Sequence, residues 1–323
     1  MANGSTDCWI RFVKTDQAAI DGVIVIDKPA GWTSHDVVAK VRNISKIRKV
    51  GHTGTLDPFA TGVLPLTLGR ATRLTNYLVA SDKTYQGVMR FGYATATFDV
   101  DGKPLSEDVH PRLDPNRLAE IFTRYLGTIL QTIPPYSAKK VRGKPMYAYA
   151  RQGLDLGEST KQVTIKSLNL LKVDGNLAEF ELSCTAGTYA RSLAHDIGRE
   201  YGCGAHLIRL RRIRSGEFPI ESAVGISDGT EFHPREFFLS QIIPLKSLLR
   251  DLPAIVISPG DRDKLLHGSD LNLLTSSFES SDVRLVDESG DLLALGQKVQ
   301  SFVAPLDQPV RWIRVHPRII FAG

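Results

Sequence analysis

The stretch "GHTGTLDPFATG", residues 51–62, constrains this chain more than any other. It packs three glycines, three threonines and one proline into twelve residues. Glycine at that density marks backbone that bends sharply or is closely approached. Its single carboxylate, Asp57, directly precedes Pro58, which biases Asp57 toward extended backbone and narrows where its side chain can point. Two readings of Asp57 stand side by side. Asp followed by Pro suits a helix N-cap and first turn, so "DPFATG" can be one short helical turn closed by Gly62. A group held this firmly also suits catalysis, which needs rigid placement. One acid fits nucleophilic or base chemistry at a sugar carbon or an acyl centre. Glycosidases typically use two carboxylates, and no second acid keeps comparable company: Asp196 and Glu200 fall on an expected helix, Asp99 and Asp101 in an expected loop.

The elements around the loop can be read from pattern. "GVIVIDKP", residues 22–29, is a short apolar run ended by proline and reads as a buried strand. Thr33 and Asp36 then form a capping-box arrangement ahead of Val37, Val41, Ile44 and Ile47 at helical spacing, with Lys40 and Arg42 off that stripe. "TYQGVMRFG" and "AEFELSC" alternate as strands. "DPNRLAEIFTRYLG" carries Asp114 as cap, Pro115 in the first turn, Leu118, Ile121, Phe122 and Tyr125 on one face and Gly127 as stop. "ARSLAHDIGREYG" reads as a helix closed near Gly202. Beyond about Leu252, short β-like runs ("AIVIS", "VRLVD", "LLALG", "RWIRV") separated by turn residues point to a small all-β domain or barrel.

Composition excludes several classes. The 323 residues are 42% hydrophobic and 23% charged, ordinary for a globular chain of about two domains. No apolar run approaches the ~18 residues that cross a bilayer, and the first residues lack the pattern of a secretory signal. Cys8, Cys184 and Cys203 form no C-x-x-C pair and the histidines show no metal-ligand spacing, so reduced cytoplasmic thiols are expected and neither a disulfide framework nor a metal site. Cys184 is expected on a buried strand. The formal net charge is +5, and its distribution says more. Residues 37–50 carry five basic residues without an acid, residues 137–151 five more with two tyrosines, and "RLRRIR", residues 209–214, four arginines. One such run is commonly a solvated face; three in one chain point toward nucleic acid.

The segments "GVIVIDKPAGWTSHDVV", "KVGHTGTLDPFATGVLPLTLGRATRLTNYL", "SDKTY", "PPYSAKKVRGKPMYAYARQG", "CTAGTYARSLAHDIG" and "GCGAHLIRLRRIRSGEF" resemble, in order and at matching spacing, the successive motifs of the TruB family of bacterial tRNA pseudouridine synthases. The similarity runs from about Gly22 to Phe218. It implies an α+β pseudouridine synthase fold, with a central mixed, mostly antiparallel sheet flanked by helices. The tail resembles only loosely the β-barrel-like PUA domain that follows in many members. The expected division is a disordered tail over 1–20, a catalytic domain over 21–251 with a thumb-like RNA-binding insertion at 136–160, and a PUA-like RNA-binding domain over 252–323.

The implied activity is isomerisation of uridine 55 in the tRNA T-loop, by cleaving and remaking the bond between base and ribose after base flipping. Asp57 matches the family's essential aspartate, with attack at C1′ and removal of a sugar proton both open. Tyr85 matches the tyrosine that stacks on the flipped base. Tyr189 and Arg191 match an active-site pair, Arg191 orienting Asp57 and holding it ionised. Leu210 matches an apolar pocket residue and His52 a histidine placed against RNA, while Lys28, Arg70 and Arg73 are candidates for backbone contacts. The reaction is redox-neutral and no P-loop or dinucleotide fingerprint occurs, so no cofactor is expected. The expected protein is a cytoplasmic monomer whose partner is the T-stem-loop of tRNA. Rival readings are a guide-RNA-dependent synthase subunit of the dyskerin type, a non-catalytic RNA-binding or RNA-folding protein and, with least support, a glycoside hydrolase.

Overall fold

The computed structural model describes residues 20–134, 136–137, 140–141, 143–146, 149, 152, 154, 157, 159–226, 234–275, 280–302 and 311–321. The expected tail over 1–20 lies outside them except for its last residue, and so does much of the thumb-like segment.

Strand β1 (Gly22–Lys28) is the apolar run that Pro29 ends. Helix α1 (Ser34–Ser45) begins with the expected box: Thr33 Oγ1 accepts from the Asp36 amide at 3.1 Å, and Asp36 Oδ2 from the Thr33 amide at 2.8 Å. It stops at Lys46, whose left-handed φ of 60° turns the chain, so Ile47, expected on the helical stripe, lies beyond the helix and packs against the core from there. Arg42, Lys46, Arg48 and Lys49 of the first basic run stay exposed. Strands β2 (Val50–His52) and β3 (Thr61–Leu68) pair antiparallel around the glycine loop. Helix α2 (Thr75–Val79) leads to β4 (Lys83–Phe91). In α3 (Pro115–Arg124), Asp114 caps the amides of Asn116 and Arg117 at 2.9 and 3.4 Å, and Leu118, Ile121 and Phe122 are buried.

Strand β5 (Gly127–Thr132) precedes two two-residue strands, β6 (Lys140–Val141) and β7 (Lys144–Pro145), which pair with each other. Then come β8 (Thr160–Asp174), β9 (Leu177–Cys184), α4 (Ala190–Tyr201) and β10 (Ala205–Ser215). Cys184 is buried at the end of β9, and Gly202 closes α4 at φ 95°. Short strands β11 (Phe218–Pro219), β12 (Val224–Gly225) and β13 (Ile243–Pro244) add to the same sheet, with α5 (Arg235–Ser240) between the last two. The path is β12-β1-β3-β10-β4-β9-β8-β5. Every pair on it is antiparallel except β12 with β1 and β10 with β3.

The parallel join of β3 and β10 matters most for the site. It runs through Arg211↔Thr61 and Arg212↔Gly62 only, so the glycine loop reaches the sheet at a narrow central seam. Gly62 has φ +100°, and a Cβ there would sit 2.2 Å from the Arg212 carbonyl oxygen. The close approach expected of these glycines is met here, because only a residue without Cβ lets β3 lie against β10.

A second sheet, curled into a half-barrel, comprises β14 (Ala254–Val256), β15 (Leu271–Thr275), β16 (Asp282–Val286), β17 (Leu292–Phe302) and β18 (Arg311–Ile320), in the order β14-β16-β17-β18-β15. Helix α6 (Pro259–Leu266) lies between its first two strands. Alternation along β1 and β3 divides the interior. Ile24, Ile26, Leu64 and Leu66 face the main core with α1 and α4, whereas Val23, Val25 and Val63 join a second core with Val286, Leu292, Leu295 and Phe321 of the C-terminal region. Arg70 and Arg73 tie this contact down. Arg70 donates to the Phe321 carbonyl at 2.7 Å and pairs with Asp21 at 2.6 Å, and Arg73 donates to the Ile320 carbonyl. Both arginines, candidates for RNA backbone contacts, make these protein contacts while their side chains stay exposed.

Candidate active site

No helix follows Asp57. Pro58 and Phe59 form a single turn closed by the Ala60 amide donating to the Asp57 carbonyl at 3.1 Å, and Thr61 already begins β3. The helix-cap reading of Asp57 is therefore corrected: with Thr61 and Gly62 claimed by the seam, the chain has no room for helical turns. Three buried polar residues pin the loop instead. Lys28 is fully buried and its ammonium donates to the carbonyls of Pro29, Trp32 and Pro58 at 2.9, 2.6 and 3.1 Å. Ser34, first residue of α1, accepts from the Leu56 amide at 2.9 Å and donates to the Leu56 carbonyl at 3.2 Å. Arg212, 1% exposed, donates to the Val63 carbonyl at 2.7 Å and to that of Gly54 at 3.2 Å.

Lys28 is thus no free phosphate ligand; it is a strut under the turn. Burial pushes its ammonium down to about 8, a fall that the nearby Asp57 charge opposes. "RLRRIR" lies on β10, where the alternation of side chains is interrupted by a register shift between Arg212 and Arg214. Arg212 points inward, Arg211 pairs with Asp27 at 2.7 Å, and Arg209 and Arg214 remain exposed. The sequence showed four charges; the fold leaves two of them largely open to a partner.

Asp57 meets Arg191 as expected. Arg191 Nη2 donates to Asp57 Oδ1 at 3.1 Å, and Nε lies 2.8 Å from Oδ2, out of line for a second hydrogen bond. Arg191 sits in the first turn of α4, its side chain only 5% exposed, while that of Asp57 keeps 33% of its surface open. The same guanidinium holds another carboxylate: Nη1 donates to Asp99 Oδ2 at 3.0 Å and to the Thr97 carbonyl at 3.1 Å, and Nη2 also to the Tyr136 carbonyl at 2.9 Å. Asp99 is buried. A second acid does keep company with Asp57, therefore, and the loop reading of Asp99 concealed it. Burial raises the Asp57 carboxyl above its ordinary value, Arg191 opposes the rise and Asp99 adds to it.

Around Asp57 a pocket of about 250 Å³ is lined by Leu56, Val79, Lys83, Tyr85, Tyr189 and Leu210 among others. Tyr85, on β4, is half-buried; burial raises its phenol, and Arg212 beside it opposes the rise. Tyr189 caps α4 with extended backbone, its amide and carbonyl bracketed by buried Gln131 at 2.8 and 3.0 Å. Leu210 is buried at the pocket wall. His52, like Lys28, does not line the pocket. It ends β2 off the pocket lining, and its Nδ1 accepts from the Gly54 amide at 3.4 Å. Among the described residues no group of three or more His, Cys, Asp or Glu could hold a metal ion, and no helix is long and apolar enough to cross a membrane.

The architecture superposes on the crystal structure of a Cbf5-Nop10-Gar1 complex with a TM-score of 0.70, at 28% identity, over 94% of this chain and 85% of that one. With the carboxylate at the seam, this is the fold class of the pseudouridine synthases. Residues 42–190 match the model of the TruB family pseudouridylate synthase N-terminal domain, and residues 191–250 that of the tRNA pseudouridylate synthase B C-terminal domain. The tRNA pseudouridine synthase B of Solibacter usitatus is 43% identical over 282 residues, 87% of this chain and 96% of that protein. Its counterpart in Photobacterium profundum is 36% identical over 299 residues, 88% and 94% of the two chains. The chain belongs to the TruB family of pseudouridylate synthases, which are isomerases.

Proposed function

We propose that the protein converts uridine 55 in the T-loop of tRNA to pseudouridine, with Asp57 as the catalytic carboxylate. The observation that carries this is the Arg191–Asp57 pair at the mouth of a small pocket walled by Tyr85, Tyr189 and Leu210. The pocket's volume of about 250 Å³ lies below the ~300–1,000 Å³ typical of drug-sized ligands, which suits one nucleobase taken out of its stack. Relatives named tRNA pseudouridine synthase B support tRNA as the substrate.

In this reading the base enters between Tyr85 and Leu210, and Tyr189 closes the pocket beside it. Asp57, ionised against Arg191, attacks C1′ or takes a proton from the sugar. The N1–C1′ bond breaks, the uracil turns and C5 bonds to C1′, displacing the Asp57 carboxylate from C1′ in the first route, while in the second Asp57 returns the proton to the sugar; the C5 proton leaves as N1 gains one, so no atom or electron is lost. Burial of Asp57 with a cation on one side favours such chemistry: the carboxylate is weakly solvated, hence reactive, and aimed. The exposed part of the first basic run, Arg209, Arg214 and the 136–160 segment supply the phosphate contacts. The C-terminal half-barrel, over 252–323, serves as a PUA-like RNA-binding unit beside a catalytic unit over 21–251. The protein acts as a monomer in the cytoplasm, where its substrate resides.

The similarity to a Cbf5 complex favours one second reading, a guide-RNA-dependent subunit. Mapping pseudouridine in unmodified tRNA transcript treated with the purified protein alone separates the two. Modification of the T-loop uridine without guide RNA is the expected result; modification elsewhere, or none until a guide is added, overturns the assignment.

A further inference from the structure

We infer that Phe98 and His195 form a positioning device for the active site, a ring stack that fixes the Asp99 loop against the helix carrying Arg191. The inference rests on the reading of Asp57 and Arg191 as the reacting pair and deepens it.

Arg191 and His195 lie four residues apart on α4, on one face of the helix. Both reach the same loop. Arg191 Nη1 takes the Thr97 carbonyl and the Asp99 carboxylate, the two neighbours of Phe98. His195 stacks on the Phe98 ring, with centroids 3.9 Å apart and planes at 20°. Phe98 itself has φ +64°, the left-handed region that bulky side chains avoid. That conformation doubles the chain back, so that groups on either side of residue 98 converge on one guanidinium nitrogen. Glycine would adopt it without strain. Phenylalanine stands there instead, and its half-buried ring meets the imidazole.

The stack is costly on the histidine side as well. His195 Nδ1 is buried with no hydrogen-bond partner among the described residues, and burial, helped by Arg199, depresses the imidazole's affinity for a proton. A strained phenylalanine and an unsatisfied histidine nitrogen are thus tolerated at one contact, the contact that closes the loop over Arg191. The loop is also tied to the pocket wall: the Leu207 amide donates to the Phe98 carbonyl at 3.1 Å, on the strand that carries Leu210 and Arg212. Without the stack, Arg191 and the Leu207 amide still hold the loop, but its packing against α4 loosens and Asp57 loses a rigidly fixed partner.

Phe98→Gly separates this role from simple packing, because it relieves the backbone while deleting the ring. Thermal unfolding, tRNA affinity and single-turnover pseudouridine formation are measured for Phe98→Gly, His195→Ala and His195→Phe. Phe98→Gly and His195→Ala are expected to lose roughly 10- to 100-fold in single-turnover rate, the scale of a sub-ångström to ångström misplacement. Their tRNA Kd should stay within about threefold, well under the factor of ten that 1.4 kcal/mol represents. Phe98→Gly should melt no lower than the parent. His195→Phe, which keeps a flat ring and removes the unsatisfied nitrogen, should recover most of the lost rate. A Phe98→Gly protein that turns over at the parental rate, a loss confined to tRNA binding, or a His195→Phe protein as slow as His195→Ala overturns the inference. An inactive parent would instead count against the function proposed above.

Discussion

Replacing Asp57 with asparagine isolates its charge from its shape, and the structure sets the size of both effects. Burial raises the Asp57 carboxyl above its ordinary value. A carboxyl raised by folding contributes stability only at low pH and loses it as pH rises through the folded value, so at neutral pH the ionised side chain weighs against the fold. Asparagine removes that burden. It also removes a charged partner of Arg191, and a hydrogen bond to a charged group is worth about 1.5–3 kcal/mol. Arg191 is not orphaned, because Asp99 and the carbonyls of Thr97 and Tyr136 remain at 2.9–3.1 Å. The ~3–5 kcal/mol penalty of a stranded buried charge therefore does not arise. The two remaining effects oppose each other, and the net change should stay within about 1 kcal/mol, or ~2–4 °C in melting temperature. Turnover behaves differently. An amide is neither nucleophile nor base at neutral pH, so single-turnover pseudouridine formation should fall by more than ~10⁴-fold, above 5 kcal/mol of barrier. Affinity for tRNA should hold within about tenfold. Asp57→Ala serves as the control for deamidation. Well-folded Asn and Ala proteins that both turn over within about tenfold of the parent, roughly 1.4 kcal/mol, would refute the catalytic role.

Three further outcomes follow from the same geometry. The single-turnover rate should fall on acidification with a midpoint above the ~3.9 of an ordinary aspartate, because protonation of the raised Asp57 removes the reactive form; a rate profile flat down to about pH 4 contradicts this. Lys28→Met keeps the volume but strands three carbonyls at ~1–3 kcal/mol each, so denaturant unfolding should show a loss of at least about 2 kcal/mol together with slower turnover, and a change under 1 kcal/mol would show that the strut does not matter. Tyr85→Ala should bind tRNA less well than Tyr85→Phe by roughly 1–3 kcal/mol, the worth of one stacked base, measured as a ratio of Kd values; equal affinities would remove the stacking role.

Local physics made much of the fold legible. The box at Thr33, the cap at Asp114 and the glycine stop at Gly202 are short-range signals, and each appears where the pattern puts it. Strand β15 was hidden because it has only five residues, followed in the sequence by a run of serines. The site was legible where a motif carries it, as at Asp57 and Arg191, and illegible where tertiary pairing decides. Asp99 joins Arg191 from 92 positions away in sequence, and nothing in an irregular loop marks one acid among several as buried. The arginines mislead for a related reason. Counting charges cannot say which face of β10 each residue occupies, so Arg212 reads as surface and is an internal clamp. Lys28 repeats the lesson, since it finds backbone carbonyls in place of water, whereas Arg70 and Arg73 reach carbonyls of the C-terminal region while staying exposed.

The division of β1 and β3 between two cores has a consequence for how the molecule opens. Adjacent residues on these strands face opposite interiors: Val23 and Val25 look toward the C-terminal half-barrel, Ile24 and Ile26 toward α1 and α4. Neither interior can be hydrated without exposing the backs of strands that belong to the other. The β1 and β3 amides should consequently exchange with solvent deuterium only through global opening, at the same free energy as the most protected amides of β17. A lesion at Phe321 would then speed exchange at Val25 and Val63 and, through β3, at the turn that carries Asp57. The two sheets would unfold as a single foldon, and Phe321 would help set the lifetime of the turn that carries Asp57.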